Sequence, residues 1–165
     1  MRYEDLDKED FDAIVTGELT HYAIWMEDEI NRLITDYFVS EETKLYDFCR
    51  LLLYRDGLTF QDKLEIARGM TPLLGLNEQD QKLFRTILNA VEDFKLWRNV
   101  MAHGLDTTPG DYKGLIRIEI VSRSGKEKTS DSTPGSHRAK MDEAGKLYLS
   151  LKNIVNSALG ERRDA

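Results

Sequence analysis

The stretch NEQDQKLFRTILNAVEDFKLWRNVMAH, residues 77–103, decides how the rest of the chain is read. Phe84, Ile87, Leu88, Val91 and Phe94 recur at intervals of three and four. At 3.6 residues per turn all five fall within about 60° of Val91, a compact apolar stripe on one side of a long helix. Asn77 with Asp80 three residues later suits its start, and Gly104 supplies its stop. A helix with one apolar stripe needs other elements to cover that stripe, so the neighbouring segments are expected to pack around it.

Downstream of Gly104 the period changes. DTTPGD, residues 106–111, reads as a loop with a Pro-Gly turn. Ile116, Ile118 and Ile120 then alternate with Arg117, Glu119 and Val121, the pattern of a half-buried strand. Ser124-Gly125 suits a hairpin turn, so residues 112–131 are expected to form a small β insertion although the returning segment KEKTSDS is very polar. SDSTPGSH predicts a loop over 132–140. Leu147, Leu151, Ile154, Val155 and Ala158 predict a last helix from about Asp142 to Leu159, with Asp142-Glu143 stabilising its start and Gly160 ending it.

Upstream, Phe11, Ile14, Val15, Leu19, Tyr22, Met26, Ile30, Leu33, Ile34 and Tyr37 give a long amphipathic helix over 8–38. Ser40 reads as the N-cap of a second helix, roughly 41–55, closed by Asp56-Gly57. Thr59 with Asp62 opens a short third helix to about Arg68. Gly69, Pro72 and Gly75 mark a connector. The fold expected is mainly α: one domain over 1–165, an up-and-down helical bundle of about five helices with a small β-hairpin insertion before the last.

Composition bounds the function classes. The chain has 165 residues and one cysteine, with 41% hydrophobic and 32% charged residues. That composition suits a soluble globular protein in a reducing cytoplasm, with no membrane partner. Cys49, alone in an apolar run, is expected to act as a small buried hydrophobe. The net charge is −7, but it is uneven: residues 1–48 carry four basic and fourteen acidic side chains, whereas residues 113–140 carry seven basic and three acidic ones. Three scattered histidines and one cysteine lack the spacing of a zinc site, and no glycine-rich loop suggests a nucleotide cofactor.

The end of the helix over 77–103 carries the chemistry. Arg98 is seven residues past Val91 and falls about 20° from the centre of the apolar stripe, where a charge should not be. A buried guanidinium without a partner is costly, so Arg98 must meet a carboxylate, a subunit interface or an anionic ligand. Asn99 and His103 are one turn apart on the flank of the helix. Arg98 and His103 lie about 140° apart on an ideal helix, so they converge only through a distorted helix end or a second protomer. A planar guanidinium grips phosphodiester oxygens through paired hydrogen bonds, and an imidazole moves protons near neutral pH, as activation of a ribose 2′-hydroxyl requires.

These residues resemble a known family. RNVMAH, residues 98–103, followed by glycine, is similar to the Arg-Asn-x-x-x-His signature of HEPN domains (higher eukaryotes and prokaryotes nucleotide-binding). The likeness covers the motif and, more loosely, residues 8–159 as a helical bundle. It implies a homodimer whose two motifs face each other across the interface. It also implies a metal-independent endoribonuclease of a toxin–antitoxin or phage-defence system, cleaving RNA to a 2′,3′-cyclic phosphate and partnered by an antitoxin or regulatory protein. Carried over to this chain, Arg98 binds and polarises the scissile phosphate, His103 is the acid–base group and Asn99 is the auxiliary polar residue. Other members are catalytically inactive modules for dimerisation, nucleotide binding or partner binding, which is the alternative expectation. Some toxin members continue the motif as His-x-Tyr; here that position is Leu105, so regulation through the tyrosine is not implied.

Lys113, Arg117, Arg123, Lys126 and Lys128 are weaker candidates for an RNA path beside the motif. A solvated hairpin edge protected by charge reads the same five residues equally well. Trp25 and Trp97 fit packing better than base stacking, and His21 and His137 lack ligand spacing.

Overall fold

Asn77 and Asp80 cap the motif helix reciprocally. The Asp80 amide donates to Asn77 Oδ1 at 2.9 Å, and Asn77 Nδ2 donates to Asp80 Oδ2 at 2.7 Å. Thr59 and Asp62 do the same for the helix before it, in a capping box. The computed structural model describes residues 2–121 and 125–163, with side chains as far as Gly160.

Five α-helices are present among the described residues: α1 (Lys8–Phe38), α2 (Glu42–Phe48), α3 (Phe60–Met70), α4 (Glu78–His103) and α5 (Pro134–Arg163). Three short strands lie between α4 and α5: β1 (Leu105–Asp106), β2 (Ile116–Val121) and β3 (Glu127–Ser132). The fold class is therefore mainly α with a small antiparallel sheet before the last helix, as the periodicity predicts. No described helix is long and apolar enough to cross a membrane.

The chain divides into two compact units. One comprises the residues up to Ala23 together with Asp93–Lys146; the other comprises Ile24–Glu92 and the residues from Leu147 on. In the first unit the buried side chains include Phe11, Val15 and Leu19 of α1, Phe94, Val100 and Met101 of α4, and Ile116 and Ile118 of β2. Its sheet runs in the order β1-β2-β3, all antiparallel, with Asp106 opposite Ile118 and Arg117 opposite Asp131. In the second unit the core is built from Met26, Ile30 and Leu33 of α1, Leu64 and Ala67 of α3, Phe84, Leu88 and Val91 of α4, and Leu151 and Val155 of α5.

Several expectations are corrected. The segment 132–140 is not a loop: β3 includes Ser132, and α5 begins at Pro134, eight residues before Asp142. Thr133 is its N-cap. The Ser136 amide donates to Thr133 Oγ1 at 3.2 Å, and the Thr133 amide donates to Ser136 Oγ at 2.8 Å. Pro134 at the first helical position needs no amide partner, so the Pro-Gly pair starts a helix here rather than making a turn. Asp142-Glu143 is accordingly mid-helix, and α5 runs through Gly160 instead of stopping there.

The second helix departs as well. Glu41, not Ser40, is the N-cap of α2. After Phe48 the helix widens into a π-turn over Cys49–Leu53, closed by the Tyr54 amide donating to the Cys49 carbonyl at 2.9 Å. Cys49 is half-buried there, 3.7 Å from Thr35 Oγ1, rather than fully enclosed. Gly57, with φ of 103°, then turns the chain toward α3. Helix α3 also passes through Gly69 to Met70, so Gly69 breaks nothing.

The polar strand β3 exists for two local reasons. All six of its residues pair in register with β2, from Ser132 opposite Ile116 to Glu127 opposite Val121. Across that ladder the Arg117 guanidinium donates two hydrogen bonds to the Asp131 carboxylate, both at 2.8 Å. Cross-strand pairs of opposite charge support a strand with little apolar surface.

Candidate functional site

Helix α4 is regular to its last residue. The Gly104 amide still donates to the Val100 carbonyl at 2.9 Å, the ordinary α-helical bond, so no distortion bends the end of the motif helix. What stops α4 is the sheet: Leu105 immediately pairs with Glu119, and Asp106 with Ile118. Gly104 is not in the left-handed conformation expected of a helix-ending glycine. It is needed because the backbone passes tightly against β2. A Cβ at this position would lie 2.2 Å from Ile118 Cγ2, 2.8 Å from the Val100 carbonyl oxygen and 3.0 Å from that of Glu119.

Within this unit the motif residues separate as the helix geometry requires. Arg98 is half-buried, with its Nε enclosed and lacking a hydrogen-bond partner. No carboxylate pairs with its guanidinium among the described residues, although the chain is rich in acids. Asn99 is half-buried and His103 exposed, one turn apart on the flank. On an undistorted helix Arg98 and His103 remain about 140° apart, so they do not share a face.

The neighbours of the motif are partly committed. Trp97 packs on Phe94, with ring centroids 6.4 Å apart, and Lys140 Nζ sits 5.3 Å over its face. Trp25, in the other unit, lies 5.9 Å from the Tyr148 ring. Each tryptophan therefore has an aromatic neighbour, while Trp25 stays 46% exposed. Of the five weaker basic candidates, Arg117 is held by Asp131; that bond raises the arginine's pKa and lowers that of the aspartate. Lys113 is exposed and pairs with Asp111 at 2.8 Å. Lys126 and Lys128 are exposed near the β2–β3 connection, and Arg123 lies outside the described residues.

Asp106, three residues past His103, is tied to the start of α1. Its carboxylate accepts from Lys8 Nζ at 2.6 Å, and this bond, with that of the Thr108 hydroxyl, holds its pKa down to about 2 from 3.8. A depressed carboxyl pKa stabilises the fold above the unfolded value and loses that contribution as pH falls from about 4 toward 2. Because both side chains are more than a third exposed, the contribution is expected to stay below about 1 kcal/mol. Urea denaturation of wild type and Lys8→Met at pH 6 and pH 2.5 checks this: the difference between them should shrink on acidification, and a difference that grows contradicts the pairing.

A second polar cluster of the same unit escapes the sequence reading. His137, expected in a loop, lies in the first turn of α5 and is fully buried. Its Nε2 is 2.6 Å from Glu18 Oε2, and its ring meets Tyr3 and Phe11 edge-on at 5.2 and 6.0 Å. The Tyr3 hydroxyl donates to the same carboxylate at 3.0 Å; burial first, and then the bond to Glu18, raises its pKa. The Thr133-Pro134-x-Ser136 pattern was the signal that would have placed His137 on a helix. This cluster ties the N-terminal turn Tyr3–Asp5 to α1 and α5, with Arg138 reinforcing it through Glu4 at 2.9 Å. It has no exposed nucleophile.

Among the described residues, no group of three or more His, Cys, Asp and Glu side chains is arranged to hold a metal ion. Compared with known proteins, the chain matches no family model, no curated protein and no solved structure.

Proposed function

We propose that this chain is a metal-independent endoribonuclease of HEPN type, acting as a homodimer in a toxin or phage-defence role. The observation that carries the reading is Arg98. It sits in line with the apolar stripe of α4, its Nε is enclosed without a partner, and no acid of its own chain neutralises it among the described residues. A structural ion pair would have explained its position, and none is made there among the described residues. An anionic ligand arriving at a subunit interface satisfies it instead.

The chemistry follows from the two side chains. His103 takes the proton from a ribose 2′-hydroxyl as the 2′-oxygen attacks the adjacent phosphorus. The bond from phosphorus to the 5′-oxygen breaks, leaving a 2′,3′-cyclic phosphate. The departing 5′-oxygen takes a proton from an imidazolium and becomes a 5′-hydroxyl. Arg98 holds the non-bridging oxygens, where negative charge grows in the transition state. Asn99, on the flank shared with His103, orients the imidazole or the sugar. Since the regular helix keeps Arg98 and His103 apart within one chain, the complete site takes Arg98 from one copy and His103 from another. An antitoxin or regulatory protein that covers this surface would silence the enzyme in the cytoplasm.

The test is direct. Purified protein incubated with single-stranded RNA in excess EDTA is expected to give fragments ending in 2′,3′-cyclic phosphate and beginning with 5′-hydroxyl, read by mass spectrometry. RNA left intact at micromolar protein overturns the catalytic reading in favour of a non-catalytic module.

A further inference from the structure

The second unit carries an apolar depression that the ribonuclease reading does not use. It has a volume of about 690 Å³ and lies among the end of α1, the π-turn and α3, with Phe38, Phe48, Leu51, Leu52, Leu58 and Ile66 in its wall. The π-turn explains its shape. Five residues in a widened turn push Leu51 and Leu52 outward together, and they remain 54% and 52% exposed. Phe38 stands at the edge, 58% exposed, and Leu45, one turn ahead of Phe48, is 37% exposed. An apolar patch of this kind, the largest that a single chain commonly exposes, often marks a contact site.

We infer that this face is the contact between two copies of the chain, paired about a two-fold axis. Three properties select a second copy as the occupant. The first is area. With each large side chain offering about 200 Å², the four exposed residues present about 400 Å² of apolar surface. That is roughly the apolar half of a standard interface of about 800 Å² per partner.

The second property is shape. The patch holds both a hole, the depression, and a knob at its edge, Phe38. A two-fold pairing needs this self-complementarity, because residue i of one copy meets residue j of the other and the reverse holds as well.

The third property is charge. Residues 41–56 carry three basic and four acidic side chains, near neutrality, in a chain whose first third is strongly acidic. Lys44 pairs with Glu41 and Arg50 with Asp47. Arg55 and Asp56, adjacent in the wall of the depression, are exposed and make no ion pair among the described residues. In a two-fold pairing Arg55 of each copy faces Asp56 of the other. The contact is formed by residues of the second unit and does not depend on Arg98 or His103, which belong to the first.

Sedimentation equilibrium of the full chain tests it. Leu52→Asp is expected to halve the assembled mass, whether by splitting a dimer or by splitting a tetramer that also pairs through the motif. Arg55→Glu and Asp56→Arg, both at exposed positions that do not challenge the fold, are each expected to weaken assembly about tenfold. Mixed in equal amounts, these two variants are expected to recover it. The carboxylate introduced by Arg55→Glu then meets the guanidinium introduced by Asp56→Arg, and the unaltered Asp56 of the first variant meets the unaltered Arg55 of the second. Three results overturn the inference: a wild type that stays monomeric at 100 µM; an assembly indifferent to Leu52→Asp and to both charge variants, which would place pairing elsewhere; and a charge-variant mixture no tighter than its components. A monomer whose depression instead takes up an amphipathic helical peptide would assign the face to a foreign partner.

Discussion

Arg98→Ala and His103→Ala are each expected to slow RNA cleavage by roughly two to four orders of magnitude, and the two inactive variants, co-expressed, are expected to recover about a quarter of the wild-type rate. The single losses follow from the roles. In the proposed mechanism, loss of His103 leaves nothing to move the 2′ proton, and loss of Arg98 leaves the charge growing on the phosphate unmet. The recovery follows from the helix. Because α4 keeps its regular hydrogen bond from Gly104 to Val100, Arg98 and His103 of one chain look in directions about 140° apart. A site that joins them therefore draws on two copies. Random pairing makes half of the dimers mixed, and a mixed dimer has one intact Arg98–His103 combination out of two, hence about a quarter. Cleavage rates of purified mixed material, set beside each variant alone, decide it. Two inactive variants that stay inactive together would mean that the site is built within one chain, against the geometry of α4.

Gly104→Ala is expected to destabilise the protein by about 2–3 kcal/mol and lower its thermal midpoint by about 5–10 °C. The added methyl would meet Ile118 Cγ2 at 2.2 Å and two backbone oxygens at 2.8 and 3.0 Å. Ile118 is buried on β2, and the oxygens belong to the helix and to the strand, so relief requires α4 and the sheet to move apart. Gly17 is the control. It lies in α1 with nothing within 4 Å of an added Cβ, so Gly17→Ala should stabilise by about 0.5–1 kcal/mol through helix propensity alone. Circular dichroism melts of the two variants measure both effects. Equal shifts would mean that the approach of Gly104 to β2 carries no strain.

The long helices were legible because burial imposes a period on them. Phe84 through Phe94 and Phe11 through Ile34 repeat every three or four residues, and α1 and α4 fall where those repeats predict. Two failures have the same root. TPGSH contains two helix breakers, but the reciprocal Thr133–Ser136 cap and a proline at the first helical position turn them into a helix start. That cap, not periodicity, places His137 inside the protein against Glu18. The π-turn at Cys49–Leu53 was illegible because LYDFCRLLLY spreads apolar residues all round the helix, with Asp47 and Arg50 set among them, so an inserted residue disturbs little pattern. The strand β1 was hidden for the opposite reason: two exposed residues, Leu105 and Asp106, are recruited by β2 and offer no alternation of their own. For the site, sequence placed Arg98 in line with the apolar stripe and His103 off it, and the regular α4 keeps that relation. Whether an acid neutralises Arg98 is a matter of long-range contact, which local spacing does not encode.

The discontinuity of the two units bears on how the protein can be made. The first unit joins residues up to Ala23 with Asp93–Lys146, so about seventy residues of the other unit lie between its parts. During synthesis on the ribosome, the N-terminal half of α1 waits until Lys146 has emerged before its packing partners are complete. The second unit in turn waits for residues beyond Leu147. Neither unit is a contiguous stretch that can be cut out and expressed by itself, and a nick anywhere from Ile24 to Glu92 severs the covalent link between the two parts of the unit that carries Arg98 and His103.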